Sequence, residues 1–208
     1  MRHTVFILIF LMALQADAQV LPTYGDSRTA TTGWQFLKIN TDARAGAMSE
    51  SYLAVANDVS SLYWNPAGLT KLDTGKYHFQ ISYTDYTAQT NLAFAGMAYR
   101  INDNTLLGIS LQYFDAGEME VTTEFMPAGT GELFHARDMG IGLSLARELT
   151  DQFSFGITAK YVREDIATVH NDNMVFDFGF QYDIGIANTR FAVDLQNFGF
   201  NTTPSGSI

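Results

Sequence analysis

Histidines and carboxylates have the widest chemical repertoire of any residues here, as metal ligands or as acid and base, so their spacing is read first. Histidine occurs at His3, His78, His135 and His170. No H-E-x-x-H or comparable spacing is present, so no helix face carries paired ligands. His135 with Asp138, and Asp165 with His170 and Asp172, are the groupings close enough in sequence to suggest a metal pair. Solvated loop residues of these types far outnumber true sites, and that reading is preferred for both. There is no G-x-S-x-G elbow and no phosphate-cradling loop. Cysteine is absent, which removes thiolate catalysis, thiolate metal sites and disulfides. The expectation is a protein with no catalytic site, no metal and no cofactor. A net charge of -10 argues against nucleic acid as the partner.

The remaining chemistry lies in charges set within apolar stretches or on a long connector. Glu118, Glu120, Glu124 and Glu132 make one connector acidic, and Met119, Val121 and Phe125 alternate with three of them, as in a projecting hairpin. A solvated loop and a partner-docking surface both fit that pattern. Asp177, Asp183 and Asp194 interrupt greasy runs, with Lys160 and Arg100 as potential counter-charges.

The elements that position these groups are strands. From Lys76 onward apolar residues recur with period two. Tyr77, Phe79, Ile81 and Tyr83 alternate with His78, Gln80, Ser82 and Thr84; Ala93 to Ile101 form a weaker row with Phe94 on the other face. Leu107 to Tyr113, Met139 to Leu145, Phe153 to Tyr161, Phe176 to Ile184 and Phe191 to Leu195 repeat the pattern. Seven strands of about 9–12 residues match the length that a tilted transmembrane strand requires.

Alternation alone fits a soluble sandwich equally well. Three features favour a membrane barrel. Tyr77, Tyr83, Tyr99, Tyr113, Tyr161 and Tyr182 sit near strand ends, as in interfacial girdles. The second face is rich in Gly, Ser and Thr rather than Lys and Glu. Tight connectors at Asn102-Asp103-Asn104, Thr150-Asp151 and Gly185-Ile186-Ala187 alternate with longer ones at Thr84–Asn91, Ala116–Arg137 and Ala167–Asn173. In a barrel, Asp177, Asp183, Asp194, Lys160 and Arg100 face the lumen, because a lipid-facing charge costs up to ~2–4 kcal/mol.

The amino-terminal third is different. Arg2-His3, the apolar run Val5 to Leu14 and Ala16-Asp17-Ala18 form a secretory signal peptide over residues 1–18, cut before Gln19. The apolar run is too short for a bilayer, which needs about 20 residues. Gln19 to Thr32 reads as a polar leader, and Gly33 to Ile39 as a short strand. Ala43 to Leu69 does not read as a strand. Tyr52 to Ala56 has helical spacing, with Ser49 or Ser51 as its cap. Asn65-Pro66 then forces an extended turn, and Gly68 supplies a left-handed closing residue.

This stretch also carries a resemblance. Ala43-Arg44-Ala45-Gly46-x-Met48, Tyr52-Leu53-Ala54-Val55-Ala56-Asn57-Asp58 and Leu62-Tyr63-Trp64-Asn65-Pro66-Ala67-Gly68-Leu69 resemble the amino-terminal signature of the PorV/PorQ proteins. Leu145–Asp151, Gly156–Glu164, Asp177-Phe178-Gly179 and Gln196-Asn197-Phe198-Gly199 continue the match. Ser49-Glu50 departs from it, since the family carries glycines there. The resemblance implies an outer-membrane barrel similar in fold to the FadL fatty-acid transporters, exported by a Gram-negative cell. It also implies a role in type IX secretion, in which PorV-type members bind the carboxy-terminal signal domains of exported cargo and shuttle it between secretion components.

The expected organisation is therefore a leader and plug over 19–72, with the hatch residues Ala43, Gly46, Met48, Tyr52, Asn57, Asp58, Tyr63, Trp64, Asn65, Pro66, Ala67 and Gly68. The first half of an all-β barrel follows over 73–208, surrounded by outer-membrane lipid. Seven strands are half of the FadL-like fourteen, so the chain is expected to be an amino-terminal portion of a longer one. A FadL-like channel for hydrophobic compounds and a soluble periplasmic β-sandwich are the alternatives.

Overall fold

The period-two rows form a single antiparallel sheet whose seven strands lie in sequence order: β1 (Tyr77–Asp85), β2 (Asn91–Asn102), β3 (Thr105–Glu120), β4 (Leu133–Thr150), β5 (Phe153–Ile166), β6 (Val169–Asp183) and β7 (Arg190–Gly199). Among the described residues β1 pairs only with β2 and β7 only with β6, so the sheet is open, a partial barrel wall. The computed structural model describes residues 33–86, 89–187 and 189–199; the expected signal peptide and the expected leader over Gln19 to Thr32 lie outside them. Among the described residues no helix is long and apolar enough to cross a membrane, which says nothing of strands.

The two faces of the sheet have inverted polarity. Ile81 is 84% exposed and Leu143 62%, whereas Thr158 is 0% and Ser144 1% exposed. A soluble sandwich hides the greasy row and wets the polar one. Here the polar row is hidden, beneath the amino-terminal segment, and the greasy row is bare. This is the arrangement of a strand between lipid and an occupied lumen.

Several strands outrun their expected length. β3 and β4 contain 16 and 18 residues, against the ~9–11 that cross a bilayer. Their pairing continues to Glu120↔Leu133, past a bulge between Asp115 and Glu118, and Thr123 bridges Met126 beyond it. The acidic connector is thus largely a hairpin arm. The long connector expected over Ala167–Asn173 is instead a tight turn between Ile166 and Val169, with Ala167 left-handed at φ 53. β1 and β2 likewise close to Asp85↔Asn91. Of the three expected long connectors only the third-to-fourth is extensive.

Local structure before the sheet also departs from expectation. Gln35–Lys38 is a 3-10 turn rather than a strand. The helices are α1 (Ala43–Ala47), whose N-cap Asp42 accepts from the Arg44 amide at 2.8 Å, and α2 (Ser61–Trp64). Tyr52 to Ala56 makes one turn, its Tyr52 carbonyl accepting from Val55 and Ala56 at 2.9 Å each. Left-handed Ser49 (φ 53) and Glu50 (φ 63) precede that turn and prevent its extension. Asn65 is extended before Pro66, and Pro66–Lys71 continue as a 3-10 helix. Gly68 lies within that helix rather than closing it in a left-handed turn. What it supplies is space, since a Cβ there would lie 2.6 Å from the Ala56 carbonyl oxygen.

Candidate functional site

The amino-terminal segment packs against the inner face of the sheet, and its core is apolar. Val59, Leu62, Tyr63 and Leu69 pack with Phe94, Ala98, Leu106 and Ala146; Phe36 and Leu37 pack with Val162 and Val175. An irregular segment carries many backbone groups that no helix or sheet satisfies, and at membrane depth each unsatisfied group costs several kcal/mol. Inward side chains supply the missing partners. Gln112 donates to the Phe36 carbonyl at 2.9 Å and Ser82 to that of Thr41 at 2.6 Å. Gln181 donates to Leu53 and Ala56, Arg190 to Ala54, and Gln196 to Tyr63 and Trp64. A polar inner face is therefore what an irregular plug requires.

The Asn65-Pro66-Ala67-Gly68 turn sits on a glycine pair. Gly156 and Gly179 are cross-strand partners on β5 and β6. A Cβ on Gly156 would lie 2.4 Å from the Pro66 carbonyl carbon, and one on Gly179 would lie 2.1 Å from Asn65 Oδ1. Asn65 caps its own turn by accepting from the Ala67 amide at 3.0 Å and donates to the Phe180 carbonyl at 3.3 Å. Thr70 donates to Ser154 at 2.9 Å.

Within the plug, Tyr52 is fully buried, accepts from Arg44 at 3.1 Å and donates to Asp58 at 3.0 Å. Arg44 also stacks over its ring at 5.4 Å and reaches Asn57 at 3.4 Å. Asp58 binds Ser60 through both the backbone amide and the hydroxyl. Trp64 meets Tyr52 and Tyr63 edge-on at 6.1 and 5.0 Å. Burial, aided by Asp58, pushes the Tyr52 phenol up, and burial raises that of Tyr63, so both remain neutral hydroxyls. Ala43 opens α1, and a Cβ on Gly46 would lie 2.9 Å from Asn40 Nδ2. Met48, at the C-cap of α1, is exposed.

Ser49 (φ 53) and Glu50 (φ 63) occupy the left-handed conformation that glycine takes without strain. Replacing each with glycine relieves a side-chain clash worth about 1 kcal/mol per position. Glu50→Gly and Ser49→Gly are expected to raise the unfolding midpoint in detergent, and an unchanged or lowered midpoint would contradict the assignment.

The five inward charges do not form one network. Lys160 pairs with Asp177 at 2.5 Å and donates to Asn197 at 3.2 Å, while the Asn197 amide donates to Asp177 at 2.7 Å. Asp183 pairs with Arg190 at 2.7 Å and with Lys71 of the plug at 2.8 Å. Among the described residues Arg100 pairs with no carboxylate; its guanidinium binds the carbonyls of Leu72, Asp73 and Asp103 and so anchors the plug's exit. Both carboxylate oxygens of Asp194 are buried. On the arm, Glu118 faces His135 at 3.5 Å and Glu120 accepts from Gly131 at 3.0 Å, while Glu124 and Glu132 are exposed.

His135 and Asp138 lie three apart on one strand and so point to opposite faces. Asp165 and Asp172 both bind Arg163. Among the described residues no group of acids and histidines could hold a metal.

Sequence reasoning missed the residues that grip the plug: Gln112, Gln181, Arg190, Gln196, Gly156 and Gly179. For Gly156, Gly179, Gln181 and Gln196 the signal that was available is glycine or an amide on the inner face of β5 to β7. A bulge between Phe176 and Phe178 on β6, where β7 inserts Gln196 and Asn197, brings Gln196 to the plug and Asn197 to Lys160 and Asp177.

A sheet with a bare greasy face, a hidden polar face and a chain segment seated on the latter is the wall of a plugged transmembrane β-barrel. A family model described as Type IX secretion system protein PorV matches residues 23–198. The chain belongs to that family, and it is thereby an outer-membrane protein of type IX secretion. No curated protein matches it.

Proposed function

We propose that this barrel binds exported cargo by the cargo's carboxy-terminal signal domain at the β3–β4 arm and carries it between secretion components. The plug, Gly33–Leu72, keeps the lumen closed. The reaction is association and release, with no covalent step. The observation that carries this reading is the arm, whose strands exceed a bilayer crossing and lift Glu118, Glu120, Glu124 and Glu132 away from the lipid. Family membership supports contact with secretion components.

Changing those four glutamates together to glutamine should lower the amount of cargo attached at the cell surface by about tenfold, as loss of a complementary charged rim does. Barrel abundance in the outer membrane should stay at the wild-type level. Full cargo attachment by the quadruple variant would remove the arm from the mechanism. Normal secretion combined with lost uptake of long-chain fatty acid would favour the FadL-like channel instead.

A further inference from the structure

At the β3–β4 arm end, the outer-face cations are neutralised by their own sheet. Arg137 pairs with Asp115 at 3.5 Å, and Arg163 pairs with Asp165 at 2.9 Å. The opposite, short-turn end differs. Lys76 and Arg147 are exposed there, and among the described residues neither lies within ion-pairing distance of a carboxylate. Lys76 is held over a tyrosine pair. Its ammonium lies 6.0 Å from the Tyr77 ring and 5.6 Å from the Tyr99 ring, and the rings are 5.2 Å apart. Tyr77 and Tyr99 are register partners on β1 and β2 and face outward with the greasy row.

We infer that Lys76, Tyr77 and Tyr99 form a binding site for the phosphate of a glycerophospholipid headgroup at the short-turn rim of the barrel. An ammonium over aromatic faces keeps its N–H donors available, and it gains by meeting an anion where water is scarce. Tyr77 opens β1 and Tyr99 lies near the end of β2, and amphipathic aromatics at the ends of membrane-spanning strands meet headgroups. The apolar face beginning at Phe79 and Met97 continues directly toward the bilayer centre, so acyl chains have a surface to follow. Arg147, across β3 from this pair, adds a second unneutralised cation on the same rim. Free phosphate would gain the charge contact but none of the apolar one. The inference rests on the membrane placement of the sheet and not on the cargo reading.

Native mass spectrometry of the full chain in detergent tests it, with phosphatidylglycerol and diacylglycerol of identical acyl chains as probes. The wild-type chain should retain phosphatidylglycerol about fivefold better than diacylglycerol, and Lys76→Gln should remove that preference. Tyr99→Leu should reduce it while leaving thermal unfolding unchanged, and millimolar inorganic phosphate should not displace the lipid. Equal retention of both lipids, an undiminished preference in Lys76→Gln, or displacement by free phosphate would each overturn the site. A chain that is monomeric without detergent would overturn the membrane placement as well; one that needs detergent but holds no phospholipid overturns the site alone.

Discussion

Gly156→Val is expected to unseat the plug from the sheet. Any Cβ at this position would lie 2.4 Å from the Pro66 carbonyl carbon and 2.5 Å from the Ala67 amide nitrogen, closer than such atoms approach. These are backbone atoms of a turn whose ends are tied down by Asn65 to Phe180 and by Thr70 to Ser154. The clash therefore cannot be relieved by rotating a side chain, and the turn must lift. Overpacking against a fixed neighbour costs about 3 kcal/mol at the upper end of its usual range. Gly140→Ala is the matched control, because its new methyl would meet Leu37 and Phe36 at 3.6–3.7 Å, ordinary contact distances. In detergent, Gly156→Val should unfold at clearly lower temperature than Gly140→Ala, and protease should cut its segment from Trp34 to Leu72 where the control is protected. Equal melting and equal protease resistance of the two variants would mean that the turn is not seated on this glycine.

The same turn marks the limit of what sequence alone could reveal. Asn65-Pro66 was legible because proline restricts the residue before it, a local effect. The surface that receives the turn was not, since Asn65 and Phe180 are 115 residues apart and nothing in either neighbourhood names the other. The strands were legible from their alternation, yet alternation has no sign. What pointed the greasy row outward was the glycine, serine and threonine opposite it, which is too small and too uncharged for a water-facing surface.

Strand ends were misjudged where pairing continues into water. The β3–β4 arm alternates glutamate with apolar residues, and on such a stretch the lipid signal has already stopped. α1 is five residues long, too short to establish a helical period, and only its Asp42 cap could have revealed it. Gly68 shows the ambiguity of its type: both a left-handed turn and a close approach call for glycine, and here the second applies.

Lys160→Met should destabilise the barrel wall more than the loss of any surface ion pair would. Asp177 is 0% exposed, and Lys160 holds it at 2.5 Å while also reaching Asn197 on the inserted stretch of β7. Methionine fills the volume of the lysine stem but leaves the carboxylate charged with only the Asn197 amide as partner, at 2.7 Å. Removing one partner of a buried pair costs about 3–5 kcal/mol, because the surviving charge has neither water nor counter-charge. An apolar replacement of both partners avoids that penalty, so Lys160→Met with Asp177→Leu should recover most of the loss. The shortfall should be about 1 kcal/mol for the Asn197 amide left without its acceptor. Urea unfolding of the full chain from lipid bilayers, followed by tryptophan fluorescence, measures both variants. If the double variant is as unstable as Lys160→Met alone, the damage comes from lost packing on β5 rather than from a stranded charge, and the pair does not hold β5, β6 and β7 together beneath the plug.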